Sequence, residues 1–327
     1  MNNNDIMVSI ICTVFNHEKY LRKCLDGFVE QKTNFKYEVL IHDDASTDSS
    51  ADIIREYEAK YPDLIKPIYQ TENQYSKGIK IWWTYLFPRA KGKYIALCEG
   101  DDYWCDKYKL QRQFDALEKH SDCVFCTHKV RNIFEDGTYK KTTIPSFKLN
   151  NIKIPSASWI RLLCTGMPFQ TSSYFFRSEI VKKCIDSLPK FISVSKVGDV
   201  PLMLLYANEG KCLYIDKEMS CYRNNSVGSW SNTQRSLDDQ IFSCRNCIER
   251  MESFDEYSDY KYSKWVNISI LRSKLNIETI NNRYKSCFKK EYRSILYTYT
   301  LKNQLSFIFF ALFPFLRPVY KKLRYKQ

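Results

Sequence analysis

Two apolar runs, each ending in a cluster of acids, constrain this chain more than any other feature. One is YEVLIHDD, residues 37–44, and the other is KYIALCEGDDYW, residues 93–104. In the second, Ile95, Ala96, Leu97 and Cys98 read as buried strand, and Glu99, Asp101 and Asp102 follow almost at once. Carboxylates this close repel one another and carry a desolvation cost wherever they are partly buried.

The segments around these runs alternate in period. MVSIICTVF, residues 7–15, reads as a first strand, and Tyr20, Leu21, Cys24, Leu25 and Phe28 then recur at helical spacing. After the second strand, ASTDSSADIIREYEAKYP supplies capping residues and an apolar face of Ile53, Ile54 and Tyr57, stopping before Pro62. LIKPIYQ, residues 64–70, is a short third strand, and a helical segment over 81–86 leads into the strand that delivers Glu99. Such alternation predicts a parallel α/β sheet, whose ligands collect beyond the carboxyl ends of the strands. Asp43, Asp44, Glu99, Asp101 and Asp102 all fall at such ends, so two distant acid clusters are expected to share one edge.

That edge lacks the usual phosphate cradles, since neither Gly-x-Gly-x-x-Gly nor a Gly-Lys-Ser/Thr loop occurs. Carboxylates alone would repel a diphosphate; Mg²⁺ or Mn²⁺, which take oxygen ligands, would bridge the two. Helix capping by Asp102 or Asp106 ahead of KYKLQRQFDALE explains one acid but not five.

Beyond CVFCTH, another strand, residues 131–165 are polar and poorly patterned, and the apolar SSYFFRSEIV follows. GDVPLMLLYANEG, residues 198–210, places Leu202, Leu205 and Tyr206 on a helical face with Pro201 in its first turn. Asp199 therefore stands at or just before a helix start, either as a cap or as a group held at the lip of a cleft. From about 234 to 300 the pattern is helical and tyrosine-rich.

The formal charge of +13 invites an anionic partner. No nucleic-acid-binding signature occurs and the basic residues are dispersed until the C-terminus, which leaves phosphorylated small molecules and acidic lipid, not nucleic acid. The apolar run 305–316 is too short to span a bilayer and is broken by Pro314. Phe307, Phe309, Phe310, Phe313 and Phe315, followed by Lys321, Lys322, Arg324 and Lys326, read as an interfacial anchor for anionic lipid, the alternative being a helix packed on the protein's own core. CVFC and CRNC have zinc-knuckle spacing but lie in a strand-like and a helical stretch far apart, so the thirteen cysteines read as free buried thiols. With no signal peptide, a reducing cytoplasm is the expected compartment.

The quoted segments resemble, in order, the motifs of the family 2 inverting glycosyltransferases with a GT-A-type fold. VSIICTVFNHEKYLRKCLDGFVEQ is similar to that family's opening strand, turn and helix. EVLIHDDASTDSSADII resembles its Asp-Asp-x-Ser-x-Asp element, GKYIALCEGDDYWCDKYKLQRQ its acidic metal-binding segment, and GDVPLMLLYANEGKCLYIDKEMSCYRNNSVGSW its later catalytic half. The resemblance covers about residues 7–230. It implies an α/β fold, a GT-A-type nucleotide-binding sheet flanked by helices, with a helical C-terminal extension. Its expected divisions are a transferase domain over 1–230 (nucleotide-sugar half 7–128, acceptor and catalytic half 129–230), a helical region over 231–304 and a basic, aromatic tail over 305–327.

The resemblance also implies roles. Thr13, Phe15, Asn16 and Glu18 would line the nucleoside, with Asp44 and Asp43 at the base. Glu99 and Asp101 would hold the Asp-x-Asp positions with Gly100 between them, Asp101 being the direct Mn²⁺ or Mg²⁺ ligand and Asp102 touching metal or donor. Asp199 would be the general base, and Arg223 and Trp230 would belong to a loop closing over donor and acceptor. Glu99 stands where the family has its first aspartate, and Asn225 where many relatives carry histidine. The implied partners are a nucleotide-sugar donor, UDP favoured, and a glycan or lipid-linked saccharide acceptor. The implied setting is surface polysaccharide synthesis on the inner face of the cell membrane. Two other readings share the chemistry. A sugar-1-phosphate nucleotidylyltransferase would need a glycine-rich basic loop, which TVFNHEKY lacks. A non-catalytic nucleotide-sugar-binding module at the membrane would not need the intact acid set.

Overall fold

The computed structural model describes residues 5–147, 149–166, 168–224, 236–313 and 316. Along the chain run β1 (Ile6–Val14), α1 (Glu18–Val29), β2 (Lys36–Asp43), α2 (Ser50–Lys60), β3 (Ile65–Tyr69), β4 (Tyr94–Leu97) and β5 (Tyr103–Trp104). Next come α3 (Lys109–Lys119), β6 (Cys123–Ile133), β7 (Tyr139–Ile144), β8 (Ile152–Ile154), α4 (Ser156–Thr165), β9 (Phe175–Arg177) and α5 (Ser178–Lys183). The rest is α6 (Lys190–Ser193), α7 (Asp199–Glu209), β10 (Lys211–Arg223), α8 (Leu237–Tyr257), α9 (Ser263–Ile280), α10 (Lys290–Arg293) and α11 (Leu301–Leu312). They form two compact units: Met1–Leu163 with Met167–Pro189 and Gly198–Thr233, and Cys164–Gly166 with Lys190–Val197 and Gln234–Gln327.

The first unit is built on one sheet in the order β3-β2-β1-β4-β9-β6-β10-β5, with β7 beside β6 and β8 beside β10. β1 runs parallel to β2 and β4, and β2 to β3, as the alternating pattern predicts. Beyond β4 the sheet is mixed: β9 is antiparallel to both β4 and β6 and β5 is antiparallel to β10, while β6 runs parallel to β10. Parallel pairing needs a crossover of a dozen or more residues, whereas short strands entered from turns can pair in either sense. The segment over 131–165 contains the hairpin of β6 with β7 and the strand β8. β7 shows no apolar alternation because none of its side chains is fully buried.

Burial follows the periodicity. Tyr20, Leu21, Cys24, Leu25 and Phe28 of α1 are buried, and Leu21, Cys24, Leu25 and Phe28 join one core with Val8, Ile10, Cys12, Val39, Ile41, Tyr94 and Ala96. The expected helix over 81–86 is a π-turn, Trp82–Leu86, with Trp83 and Leu86 buried. The sheet thus presents the carboxyl ends of β1, β2 and β4 side by side.

In the second unit, α8 opens with a reciprocal capping box between Ser236 and Asp239. Phe191 of α6 packs against Phe254 of α8 at 5.3 Å between ring centroids. A separate cluster joins Leu275 of α9, Tyr284, Cys287, Tyr292 and Ile295 to Phe310 and Ala311 of α11. Phe307 and Phe310, expected on a lipid-facing surface, therefore pack on the unit's own core. Phe315, Lys321, Lys322, Arg324 and Lys326 lie outside the described residues. Among the described residues no helix is long and apolar enough to cross a membrane.

Candidate active site

Two loops at the carboxyl ends of β1 and β2 bind each other residue by residue. Asn16 adopts a left-handed conformation (φ 56°), which asparagine tolerates better than most residues. Its Oδ1 accepts from the Thr47 amide at 2.8 Å, and its own amide donates to Ser46 Oγ at 2.9 Å. The His17 amide donates to Ser50 Oγ at 2.9 Å, and Glu18 exchanges two bonds, its amide to Asp48 Oδ2 and its Oε2 from the Ser49 amide. The side chains of Asn16 and Glu18 thus fix the turn, while Phe15 leaves its ring 43% exposed beside it.

The two acids of β2 differ. Asp44 accepts from the Gln74 amide at 2.7 Å on one oxygen and from the Tyr75 amide at 3.0 Å on the other, pinning residues 74–75 over the strand end. Asp43 accepts from the Ser46 amide on Oδ2, but its buried Oδ1 has no hydrogen-bond partner among the described residues. Burial raises the Asp43 carboxyl, against the hydrogen bonds from Ser46.

One strand over, the chain leaves β4 and turns sharply. The Cys98 amide donates to Ile11 O, the Gly100 amide to Thr13 O, and the Asp102 amide to Glu99 O, each at 3.1 Å. A Cβ on Gly100 would stand 2.8 Å from His17 Nδ1 and 3.0 Å from Val14 Cγ2, so the backbone has no room for a side chain there. The turn brings ligand oxygens of Glu99, Asp101 and Asp102 within 4.8 Å of one another. Asp102 is almost fully buried; Oδ1 accepts from the Arg223 amide and Oδ2 from Gln170 Nε2, both at 2.8 Å. Gln170 is itself oriented by the Ser172 amide, which donates to its Oε1 at 2.6 Å.

Arg223, the last residue of β10, closes this side. Its Nε donates to Asp101 O at 3.1 Å and Nη1 to Glu135 O at 2.5 Å, with the guanidinium 4.4 Å from the Tyr20 ring centre. It therefore holds the backbone of the acid turn and does not neutralise its carboxylates. Burial, then Asp101 and Asp199, push the Glu99 carboxyl up to about 8. Burial, then Asp101 and Glu99, drive Asp102 well above the usual carboxylate range, despite its two hydrogen bonds. Three crowded carboxylates, Asp102 buried and Glu99 and Asp101 partly so, form an oxygen-only donor set that fits Mg²⁺ or Mn²⁺.

Asp199 opens α7 behind Gly198. Its Oδ1 accepts from the next amide, Val200, at 2.8 Å, which is not the N2 or N3 bond of an N-cap. The half-buried carboxylate lies close enough to raise both the Glu99 carboxyl and the buried Tyr174 hydroxyl. Strand β4 and helix α7, a hundred residues apart, thus meet at one site. Thr13 is at the same edge, bonded through its carbonyl to Gly100. Trp230 and Asn225 lie outside the described residues.

Sequence reasoning missed two participants and one buried amine behind the site. His17, inside the quoted turn, faces Asp101, Asp48 and Asp43, so it stands between the two acid clusters; burial lowers its pKa and its Nδ1 has no hydrogen-bond partner among the described residues. Gln170 follows a weakly patterned stretch and carries no local signal. Lys109, in the amphipathic helix after the acids, is fully buried with Nζ 3.9 Å from the Trp104 ring centre and 2.7 Å from Gln113 Oε1.

Comparison with known proteins bears on the fold and the family. A protein of Mycobacterium tuberculosis, Rv1520, itself uncharacterized, is 36% identical over 228 residues, 68% of this chain and 60% of that protein. The chain therefore spans about 60% of the length of the curated relatives it first matches. A poly(ribitol-phosphate) beta-glucosyltransferase of Bacillus spizizenii is 34% identical over 45% of this chain and 23% of its own length. The crystal structure of residues 1–349 of S. aureus TarS in complex with UDP-GlcNAc superposes with a TM-score of 0.60 at 16% identity, covering 90% of this chain and 79% of that one. That likeness establishes the GT-A-type fold: a mixed sheet flanked by helices with a helical C-terminal part. The model of glycosyl transferase family 2 matches residues 9–185, more than half the chain, and this protein belongs to that family.

Proposed function

We propose that this chain is a metal-dependent inverting glycosyltransferase. It moves a sugar from a nucleoside-diphosphate sugar to a hydroxyl of a glycan or lipid-linked saccharide in surface polysaccharide synthesis, as a peripheral protein on the inner face of the cell membrane. The carrying observation is the trio Glu99, Asp101 and Asp102 with ligand oxygens within 4.8 Å of one another, and Asp199 close by. The UDP-GlcNAc complex of TarS favours a UDP donor, and the poly(ribitol-phosphate) relative favours a cell-surface acceptor.

In this reading Thr13, Phe15, Asn16, Glu18, Asp43 and Asp44 frame the nucleoside, Asp43 with an oxygen to offer the base and Asp44 by shaping residues 74–75. Asp101 and Asp102 would hold Mn²⁺ or Mg²⁺, with Glu99 ionising beside them and Gly100 letting the turn approach. Bound there, the cation would offset charge on the departing diphosphate. Asp199 takes the proton of the acceptor hydroxyl, whose oxygen attacks the anomeric carbon opposite the leaving group and inverts it. Arg223 anchors the end of β10 against the backbone of the acid turn. Asp199→Asn is expected to lower kcat about 10²–10⁴-fold with donor affinity retained, and Asp101→Ala to abolish the stimulation of transfer by divalent cation. Full transfer by both variants would refute the mechanism.

A further inference from the structure

Helix α11 presents two unlike faces within the second unit. Phe310 and Ala311 are buried in the cluster with Tyr284, Cys287 and Tyr292, and Phe307 packs against it. Leu301, Leu305, Ile308, Phe309 and Leu312 are instead 69%, 57%, 38%, 44% and 60% exposed. At about 100° per residue these five lie in one arc of roughly 100°. A monomeric protein rarely leaves so contiguous an apolar stripe in water.

Charge selects what covers it. Residues 281–327 contain eleven lysines and arginines and a single acid, Glu291, a surplus of ten out of the chain's net +13. Lys285, Lys289, Lys290, Arg293 and Lys302 are exposed within the described part. A second copy of this surface would bring like charges together; an anionic bilayer would gain from every one, at about 1 kcal/mol per basic residue near the surface. We infer that α11 lies in the plane of an anionic lipid surface, inserting Leu301, Leu305, Ile308, Phe309 and Leu312 below the headgroups while the surrounding lysines and arginines contact them. The inference rests on the membrane location proposed above and assigns it to a folded helix, with Phe307 and Phe310 holding that helix to its own unit.

The test is sedimentation of the full chain with vesicles of phosphatidylcholine containing about one third phosphatidylglycerol, against pure phosphatidylcholine. The expected result is binding to the anionic vesicles that weakens as salt rises. The double variant Leu305→Glu, Phe309→Glu, with the tail after residue 313 intact, should cut the bound fraction about ten-fold or more. Both positions face solvent, so circular dichroism and donor hydrolysis without lipid should match the wild type, which separates this inference from the catalytic one. Undiminished binding by the variant, or equal binding to both vesicle types, would overturn it. So would light scattering that shows a dimer of the wild type, lost in the variant, with no vesicle binding by either.

Discussion

Replacing Glu99 by glutamine keeps the side chain's volume and removes its charge, which isolates the electrostatic strain in the acid cluster. Burial with Asp101 and Asp199 raises the carboxyl from 4.5 to about 8. Between those values the folded chain holds a proton that the unfolded chain has released, so folding becomes less favourable as pH rises through this window. At 1.36 kcal/mol per unit the whole span corresponds to about 5 kcal/mol, of which about 3 kcal/mol is lost by pH 7. In chelator, Glu99→Gln should therefore match the wild type near about pH 5 and melt several degrees higher by about pH 8. Lys109, lowered by burial to about 7, tilts the raw profile the other way above neutrality. The difference between variant and wild type cancels that contribution and carries the test. Saturating Mn²⁺ should raise the wild type's melting temperature more than the variant's, because the variant keeps Asp101 and Asp102 but lacks the third carboxylate whose repulsion the cation offsets. Scanning calorimetry of both proteins across this pH range, in chelator and in Mn²⁺, reads all three quantities. A difference that stays constant with pH, or a variant less stable than wild type at the alkaline end, would refute the reasoning.

Gly100→Ala should destabilise the chain by about 1–3 kcal/mol and weaken Mn²⁺ binding, since its Cβ would sit 2.8 Å from His17 Nδ1 and 3.2 Å from Leu21 Cδ1; urea unfolding and titration calorimetry measure the two effects. Lys109→Met tests the buried amine. Its pKa falls from 10.5 to about 7 on folding, so the wild type gains stability as pH rises through that window. Relative to the variant that gain amounts to about 5 kcal/mol, and parallel unfolding curves at both ends of the window would contradict it. Gln170→Leu removes the donor to Asp102 Oδ2 and should cost about 1–3 kcal/mol in chelator, read by the same unfolding curves.

What the sequence conveyed was what neighbouring residues decide among themselves. Period-two and period-3.6 apolar patterns placed α1, α2 and the first four strands, because each element buries one face and its residue types record which. The acids at the ends of β2 and β4 were legible for the same reason: a carboxylate after a buried strand is anomalous without reference to anything distant. Asp199 was different. Its neighbours leave it as either a cap or a reactive group, and the bond to Val200 together with its proximity to Glu99 comes only from the folded chain.

The mixed half of the sheet, the role of Gln170, the place of His17 between the acid clusters and the two-faced packing of α11 were settled by tertiary structure alone. Strand direction depends on which edge a returning segment meets, and β9 has three residues with which to declare it. Gln170 reaches Asp102 across 68 positions of chain, and Arg223 across 121, distances over which no local pattern records a partner. In α11, phenylalanines one to three positions apart point to opposite sides: Phe310 enters the core and Phe309 remains exposed. Sequence composition marked this segment as apolar and basic; the side of the helix that met the rest of its unit decided which residues were left to face outward.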